Sequence, residues 1–176
     1  PYYYSGTDAK LVKNYTEGDY RGLMTVREAL AASQNVPAVK VLTQITPQVG
    51  FSYLEKFGLS TLVSPKNAIN GNHDVVQSLA LGGMTKGVTN MDMTAAYAAI
   101  ANKGEYTKPI YYTKVLDSNG EIIIDNSQKE THRVLKETSA WLLTSAMESV
   151  ITSGTGTAAR LSNQPVAGKT GTTQFN

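Results

Sequence analysis

The sequence predicts an α+β domain in which helices predominate and the few strands are antiparallel. Three observations carry this prediction: apolar residues at helical spacing that follow capping residues, an Asn-Gly hairpin signal between two apolar runs, and a last strand-like run at residues 164–173. The 176 residues are enough for one domain with a hydrophobic core, and neither an internal repeat nor a low-complexity linker divides them.

The helical segments are marked by their start and stop residues. A capping box begins the first helix, with Thr25 as the N-cap and Glu28 reaching back to it. This helix ends near the Ser33-Gln34-Asn35 triplet, and Pro37 suits the first turn of the next one. Counted with their N-caps and terminal glycines, the further helices are predicted at residues 37–45, 46–58, 74–81, 89–104 and 135–151.

The strand prediction rests mainly on one hairpin. Two apolar runs, residues 110–116 and 121–125, flank the Asp117-Ser118-Asn119-Gly120 segment. Asn-Gly between two such runs is a strong hairpin signal, so we predict two antiparallel strands there. Residues 1–24 and 59–74 lack a regular period and are predicted to be loops.

The composition is that of an ordinary globular protein and excludes several kinds of site. The net charge of +2 is too small to argue for a nucleic-acid partner, and the absence of cysteine excludes disulfides, thiolate catalysis and cysteine zinc sites. No apolar run reaches the ~20 residues of a membrane span. His73 and His132 stand apart from carboxylate clusters, and no phosphate-loop motif occurs, so we predict no metal and no cofactor.

Two triplets could carry chemistry: Ser33-Gln34-Asn35, which has the form S-x-N, and Lys169-Thr170-Gly171, or K-T-G. A triplet such as S-x-N arises by chance in a chain of this length. Taken alone, the first triplet is more typical of a polar helix C-terminus, and residues 168–173 of a Gly-rich turn leading into an exposed edge strand. The residues that flank the triplets therefore decide their meaning.

The flanks resemble one family along almost the whole chain. Residues 27–38, REALAASQNVPA, closely resemble the S-x-N region of class A (bifunctional) penicillin-binding proteins, and residues 168–173, GKTGTT, resemble their K-T-G strand. Residues 81–89 and 93–104 are similar to the helix that follows the S-x-N motif, and 108–110 fits the segment before the hairpin. These matches occur in the family's order from about residue 20 onward.

The resemblance implies a fold and an activity. The implied fold is the α+β penicillin-binding and serine β-lactamase-like transpeptidase fold, a helical subdomain with an antiparallel sheet. The implied activity is that of a peptidoglycan D,D-transpeptidase, which cross-links stem peptides through a serine acyl-enzyme and is acylated by β-lactams. The partners implied are peptidoglycan stem peptides and β-lactam antibiotics.

Three polar side chains receive roles from this resemblance. Ser33 is expected to hydrogen-bond the family's catalytic lysine and to pass a proton towards the leaving amine. Asn35 is expected to bind the backbone amide of the donor peptide, since its side chain offers both a donor and an acceptor. Lys169 is expected to place a positive charge beside Ser33 and to favour a substrate carboxylate.

The rest of the K-T-G segment is expected to line the bound substrate. The hydroxyls of Thr170 and Thr172 would bind the terminal carboxylate, and the Thr172 backbone N–H would be one oxyanion donor. Gly171 would let the substrate backbone approach the strand closely, because it has no Cβ. Substrate would then lie along the open edge as an added strand.

The motif that would contain the nucleophile does not occur in the sequence. The family's serine and lysine lie in an S-x-x-K motif, and no such motif occurs in the sequence; the nearest pattern is Thr7-Asp8-Ala9-Lys10, which has Thr in place of Ser. We therefore expect the nucleophilic serine to lie upstream of Pro1, in the remainder of the same protein. Residues 1–176 are then part of one transpeptidase domain, truncated at both ends, whose final strands and helix follow Asn176.

Three other interpretations stay open. A non-catalytic β-lactam sensor would share these motifs and differ in turnover. A serine β-lactamase would need a base that activates water on the acyl-enzyme. A structural domain without a site would be favoured if Lys169 pointed to solvent far from Ser33. The carboxylates available as a β-lactamase base are Glu55, Glu105, Glu121, Glu130, Glu137 and Glu148.

The resemblance also implies a location. The class A family has an N-terminal membrane anchor and a glycosyltransferase domain, and both would lie outside this chain. We expect the active site to face the outside of the cytoplasmic membrane, in a Gram-positive organism.

Overall fold

The computed structural model describes Tyr4 and residues 10–172, in which four short strands lie between four helices and a last long helix. No helix in this described part is long and apolar enough to cross a bilayer. The elements in chain order are α1 (Val26–Ala31), α2 (Asn35–Ile45), α3 (Pro47–Lys56), 3₁₀ turns at Pro65–Asn67 and Gln77–Leu81, α4 (Asn90–Ala101), β1 (Glu105–Thr107), β2 (Lys114–Leu116), β3 (Ile122–Asp125), β4 (Thr131–Arg133), α5 (Glu137–Thr152) and a 3₁₀ turn at Thr157–Ala159.

The predicted capping hydrogen bonds are present at the starts of two helices. The Thr25 hydroxyl accepts from the Glu28 backbone N–H at 3.2 Å, and the Glu28 carboxylate accepts from the Thr25 N–H at 2.7 Å, which completes the capping box. The Thr89 hydroxyl accepts from the Asp92 N–H at 3.1 Å at the start of α4. These side chains satisfy N–H groups that the helix itself leaves unpaired.

The described strands form two separate two-stranded antiparallel sheets. The predicted hairpin is confirmed as β2 and β3, which are shorter than the apolar runs and have an irregular register after Val115. The second sheet pairs β1 with β4, with Tyr106 opposite His132. Sequence patterns did not indicate this sheet, because three-residue strands carry too little alternation. The α+β class with antiparallel strands is confirmed.

The predicted last strand is wrong within the described residues. Residues 164–172 belong to no strand, and Thr173, the end of the predicted run, lies outside the described part. A strand exists only where a neighbour completes its hydrogen-bond ladder, and no described segment pairs with this one. Its recorded backbone–backbone contact is the bond from the Gly168 N–H to the Met147 carbonyl, at 3.4 Å.

The predicted helix at residues 74–81 is also corrected, to a 3₁₀ turn at Gln77–Leu81. Asp74 lies before this turn, where its backbone N–H donates to the Val63 carbonyl at 2.8 Å. Its carboxylate is 1% exposed and accepts from the backbone N–H groups of Val63 and Thr85, each at 2.7 Å. Burial raises the pKa of Asp74, but these bonds and that of the Thr85 hydroxyl outweigh it and hold the pKa below its usual value.

Two apolar clusters hold the elements together. One packs the small residues Ala95 and Ala99 of α4 against Tyr106 of β1 and Val134. The other joins Leu42 of α2, Phe51 of α3 and Leu79 of the second 3₁₀ turn. Helix α5 contacts both α1 and α4, so it connects the S-x-N end of the chain with the rest of the domain.

Candidate active site

Ser33 lies in the turn between α1 and α2, in a backbone conformation that serine rarely adopts. Its φ is +51°, its N–H donates to the Leu30 carbonyl at 3.1 Å, and the Gln34 N–H donates to the Ala29 carbonyl at 2.9 Å. This pair of bonds is a Schellman closure of α1, in which the left-handed position is usually glycine. A serine there costs roughly 1–2 kcal/mol, as non-glycine residues in this conformation do. Such strain is concentrated at functional sites.

Lys169 meets Ser33 directly. Its Nζ donates to the Ser33 Oγ at 2.6 Å and to the Thr170 carbonyl oxygen at 2.8 Å. The side chain is half-buried, and burial lowers the pKa of Lys169 below its ordinary value of 10.5. Within residues 10–172, no carboxylate forms an ion pair with it. The site therefore holds a partly desolvated cation that an anionic ligand can neutralise.

The direction of the bond between these two side chains constrains the Ser33 proton. An ammonium group has only donors, so the Ser33 oxygen must be the acceptor at 2.6 Å. The Ser33 hydroxyl proton is consequently free to be donated to a different acceptor. This arrangement is what a proton relay between Lys169 and a third group requires.

Contacts between α1 and the end of α5 bring the two triplets together. The Arg27 guanidinium on α1 donates to the carbonyl oxygen of Ser145 at 2.5 Å and to its hydroxyl at 3.1 Å. Beyond α5, the Thr155 N–H donates to the Ala31 carbonyl at 3.0 Å. Gly154 permits this approach, because a Cβ on it would collide with the same Ala31 oxygen.

The remaining K-T-G residues lie on the open side of the site. The Thr170 hydroxyl lies 2.6 Å from the hydroxyl of Thr155, and both residues are exposed. A Cβ built on Gly171 would have no heavy atom within 4 Å, so the space over this residue is empty. Thr172 is exposed too. In residues 169–172 no backbone–backbone hydrogen bond to another described segment is recorded, so the edge can accept an extended ligand.

Asn35 is the first residue of α2, and part of its side chain is already engaged. Its Nδ2 donates to the Lys13 carbonyl at 2.8 Å. One amide N–H is thus committed, and the Oδ1 acceptor with the second N–H remains for a ligand. The predicted role of Asn35 as both donor and acceptor stays a prediction, in which one side-chain N–H rather than two is available to the substrate.

Sequence reasoning missed several residues that contact the triplets, among them Asn14 and Thr155. Asn14 accepts hydrogen bonds from the Asn35 and Val36 N–H groups at 3.0 and 3.1 Å, and Thr155 contacts Thr170. Neither residue belongs to a spacing pattern, since each contact joins segments distant in sequence. Thr7, with its S-x-x-K-like spacing, lies outside the described residues.

The two histidines make hydrogen bonds outside the site. The Nδ1 atom of His73 accepts from the Val75 N–H at 3.2 Å, and the Nε2 atom of His132 lies 2.7 Å from the Lys56 carbonyl. No cluster of three metal-ligating side chains occurs among the described residues. Three of the six glutamates considered as a β-lactamase base are in surface ion pairs, namely Glu105–Arg133, Glu130–Lys108 and Glu137–Lys103.

Comparison with known proteins extends the sequence resemblance. The family model described as the penicillin-binding protein transpeptidase domain matches residues 1–176. Penicillin-binding protein 1A of Streptococcus pneumoniae is 37% identical over 180 residues, which cover 99% of this chain and 23% of that protein. Penicillin-binding protein 1F of Bacillus subtilis is 33% identical over 163 residues, 93% of this chain and 21% of that protein. The chain thus spans less than a quarter of the length of these relatives.

Solved structures show the same fold. The penicillin-binding protein PonA1 from Mycobacterium tuberculosis superposes with a TM-score of 0.74 at 25% identity, over 98% of this chain and 46% of that one. Penicillin-binding protein 1A from Haemophilus influenzae gives a TM-score of 0.73 at 22% identity, over 96% of this chain and 29% of that one. The α+β fold implied by the resemblance is therefore confirmed.

Proposed function

Because this chain belongs to the penicillin-binding protein transpeptidase domain family, we propose that it supplies the S-x-N and K-T-G parts of a serine D,D-transpeptidase active site. The observation that carries this proposal is the 2.6 Å bond from Lys169 Nζ to Ser33 Oγ. A structural domain without a site would not need a half-buried lysine against a serine in a strained turn, with no carboxylate partner among residues 10–172.

The proposed reaction is acyl transfer between stem peptides. A serine hydroxyl oxygen attacks the carbonyl between two terminal D-alanines; the C–N bond breaks, an ester forms, and the serine proton goes to the departing D-alanine amine. An amine of a neighbouring stem then attacks the ester carbonyl; the C–O bond to serine breaks, an amine proton returns to the serine oxygen, and the new amide is the cross-link. The serine belongs to an S-x-x-K motif that this sequence does not contain.

The described residues would serve the proton transfers and the substrate carboxylate. Ser33 accepts from Lys169 and keeps its own proton for another acceptor, so it can relay a proton to the leaving amine. The Lys169 charge, which has no carboxylate partner among residues 10–172, would attract the terminal carboxylate of D-alanine or of a β-lactam. The unoccupied space over Gly171 admits the substrate backbone.

The same proposal assigns partners and a location. The ligands are peptidoglycan stem peptides and β-lactams, and the S-x-x-K serine comes from the remainder of the same protein. Since peptidoglycan lies outside the cytoplasmic membrane, we place the active site on that face. A membrane anchor and a glycosyltransferase domain are expected elsewhere in the whole protein.

Labelling with a fluorescent penicillin tests the proposal. The intact protein is incubated with the probe and digested, and the labelled peptide is identified by mass spectrometry. We expect the label on a serine of an S-x-x-K peptide, and we expect Lys169→Ala to lose most of it. Lys66→Ala is the matched control, because it removes the same charge from an exposed position.

Three other results would change the assignment. Label on Thr7 or on a serine of this chain would mean that the nucleophile is misplaced. Equal labelling of Lys169→Ala and Lys66→Ala would remove Lys169 from the site. No label on the folded, intact protein would refute the transpeptidase proposal.

A further inference from the structure

A short segment before α1, residues 13–19, contacts Gln34 and Asn35 of the S-x-N triplet. The Oδ1 atom of Asn14 accepts from the backbone N–H groups of Asn35 and Val36, at 3.0 and 3.1 Å. These are the first N–H groups of α2, which have no partner within the helix. The residue in the N-cap position, Gln34, provides no side-chain cap. Asn14 therefore caps α2 from a segment 21 residues earlier in the chain.

Asn14 is itself fixed in place. It is 7% exposed, and its Nδ2 donates to the Asp19 carbonyl at 2.7 Å. The Asp19 carboxylate accepts from the Gln34 Nε2 at 3.1 Å and from the Arg21 guanidinium at 2.8 to 3.2 Å. Because Oδ1 faces two donors and Nδ2 faces an acceptor, the orientation of the Asn14 amide is determined by its surroundings.

These bonds act on the residue next to Ser33. Helix α1 fixes the Ser33 turn from its N-terminal side through the bonds to Leu30 and Ala29. On the C-terminal side, the chain enters α2 at Asn35, which Asn14 holds. Without Asn14, the start of α2 loses its backbone cap and keeps the side-chain bonds from Gln34 to Asp19 and from Asn35 to the Lys13 carbonyl, so Ser33 can leave its left-handed conformation more easily. The hydroxyl would then move away from Lys169.

We propose that Asn14 is a positioning residue for acyl transfer, which holds Ser33 and Asn35 in their reactive geometry through the start of α2. This inference rests on the proposed transpeptidase function. The inference adds a residue outside the S-x-N and K-T-G triplets. The proposed role of Asn14 goes beyond the stability that any helix cap provides. A cap that only stabilises the fold would affect acylation no more than an equivalent cap elsewhere.

The test compares Asn14 with a cap on a different helix. In the intact protein, Asn14→Ala removes all three bonds, and Asn14→Asp keeps the acceptor for the two N–H groups but loses the donor to Asp19. Thr89→Val removes the cap of α4 and is the matched control. The readouts are the rate of acylation by a fluorescent penicillin, the melting temperature, and hydrogen exchange of the peptide that contains residues 33–36.

We expect Asn14→Ala to slow acylation about tenfold or more, since small misplacements of reacting groups have effects of this size. Thr89→Val should leave the acylation rate within about twofold, although it lowers the melting temperature by a similar amount. Asn14→Asp should recover most of the rate. Exchange at residues 33–36 should accelerate in Asn14→Ala and stay unchanged in Thr89→Val.

Equal acylation rates for Asn14→Ala and the intact wild-type protein, with a lowered melting temperature, would overturn the proposal and leave Asn14 as a structural cap. If Asn14→Ala does not fold, Asn14→Ser takes its place in the same comparison. If the wild-type protein is not labelled at all, the transpeptidase proposal fails instead. The exchange data then decide about Asn14 alone: unchanged exchange at residues 33–36 contradicts its positioning role.

Discussion

The Nζ atom of Lys169 lies 2.6 Å from the Oγ atom of Ser33, although the two residues are 136 positions apart in sequence. Lys169 lies after α5, and Ser33 lies in the turn that follows α1. Their meeting depends on the packing of these two helices, which Arg27 and the Thr155 N–H secure. The site is therefore a consequence of tertiary structure.

Substituting Ser33 by glycine and by alanine distinguishes the effect of the strained turn on stability from the effect of the hydroxyl on acylation. Both Ser33→Gly and Ser33→Ala remove the Oγ, so both should abolish most acylation. Ser33→Gly should be more stable than Ser33→Ala by about 1 kcal/mol, because only glycine is unstrained at φ +51° and its larger chain entropy offsets part of the gain. Urea unfolding of the two variants measures the difference. Equal stabilities would show that this backbone conformation is not strained.

The pH dependence of acylation should report on Lys169. Burial lowers the pKa of this lysine, so its ammonium charge is lost at a lower pH than the 10.5 of an exposed lysine. As pH rises through that lowered pKa, the cation that attracts the substrate carboxylate disappears and the acylation rate should fall. Lys169→Arg keeps the positive charge at all these pH values. In this variant the fall in acylation rate should shift to higher pH or disappear.

Stopped-flow acylation at a series of pH values provides the measurement for this comparison. Lys66→Arg is the control, because Lys66 is exposed and should leave the profile unchanged. An alkaline decline that is identical in the wild-type protein and in Lys169→Arg would assign the titration to another group.

The two glycines of the K-T-G segment should respond differently to alanine. A Cβ at Gly171 would meet nothing within 4 Å, so Gly171→Ala should leave stability nearly unchanged. The new methyl group would, however, occupy the space proposed for the substrate backbone, and acylation should fall about tenfold or more. At Gly168 the Cβ would lie 3.8 Å from the Ile151 Cδ1, an ordinary contact, so Gly168→Ala is the matched control.

Melting temperature and penicillin labelling distinguish these glycine variants. If Gly171→Ala is acylated at the wild-type rate, substrate does not run over this residue. A large loss of stability in Gly171→Ala would show instead that the space is filled in the intact protein.

Sequence patterns predicted several local features, and family resemblance indicated the two triplets. The caps at Thr25 and Thr89 and the hairpin around Asn119 were predicted because each depends on neighbouring residues only. Ser33 and Lys169 were predicted through family resemblance, and their contact follows from the fold. Local patterns cannot reveal which segments pack together, so Asn14 and its bonds to α2 were not predicted.

The errors have the same origin. Residues 164–173 are predicted to form a strand, but strand formation requires a neighbour, and no described segment supplies one. Asp74 looked like the start of a helix, yet its buried carboxylate binds two distant backbone N–H groups and its own N–H pairs with Val63. In both places tertiary hydrogen bonds, or their absence, outweighed the local preference.

Thr155 gives the last test, because it connects the end of α1 with the K-T-G triplet. Its backbone N–H binds the Ala31 carbonyl at 3.0 Å and its hydroxyl lies 2.6 Å from that of Thr170. Thr155→Val keeps the first bond and removes the second, so the Thr170 hydroxyl loses the partner that orients it. We expect acylation to slow by about three- to tenfold with little change in melting temperature, since one exposed hydrogen bond contributes about 1 kcal/mol.

Thr155→Ser should behave like the wild-type protein, and Thr157→Val, at an exposed threonine two residues later, should have no effect on acylation. A wild-type acylation rate in Thr155→Val would mean that Thr170 is oriented without this hydroxyl.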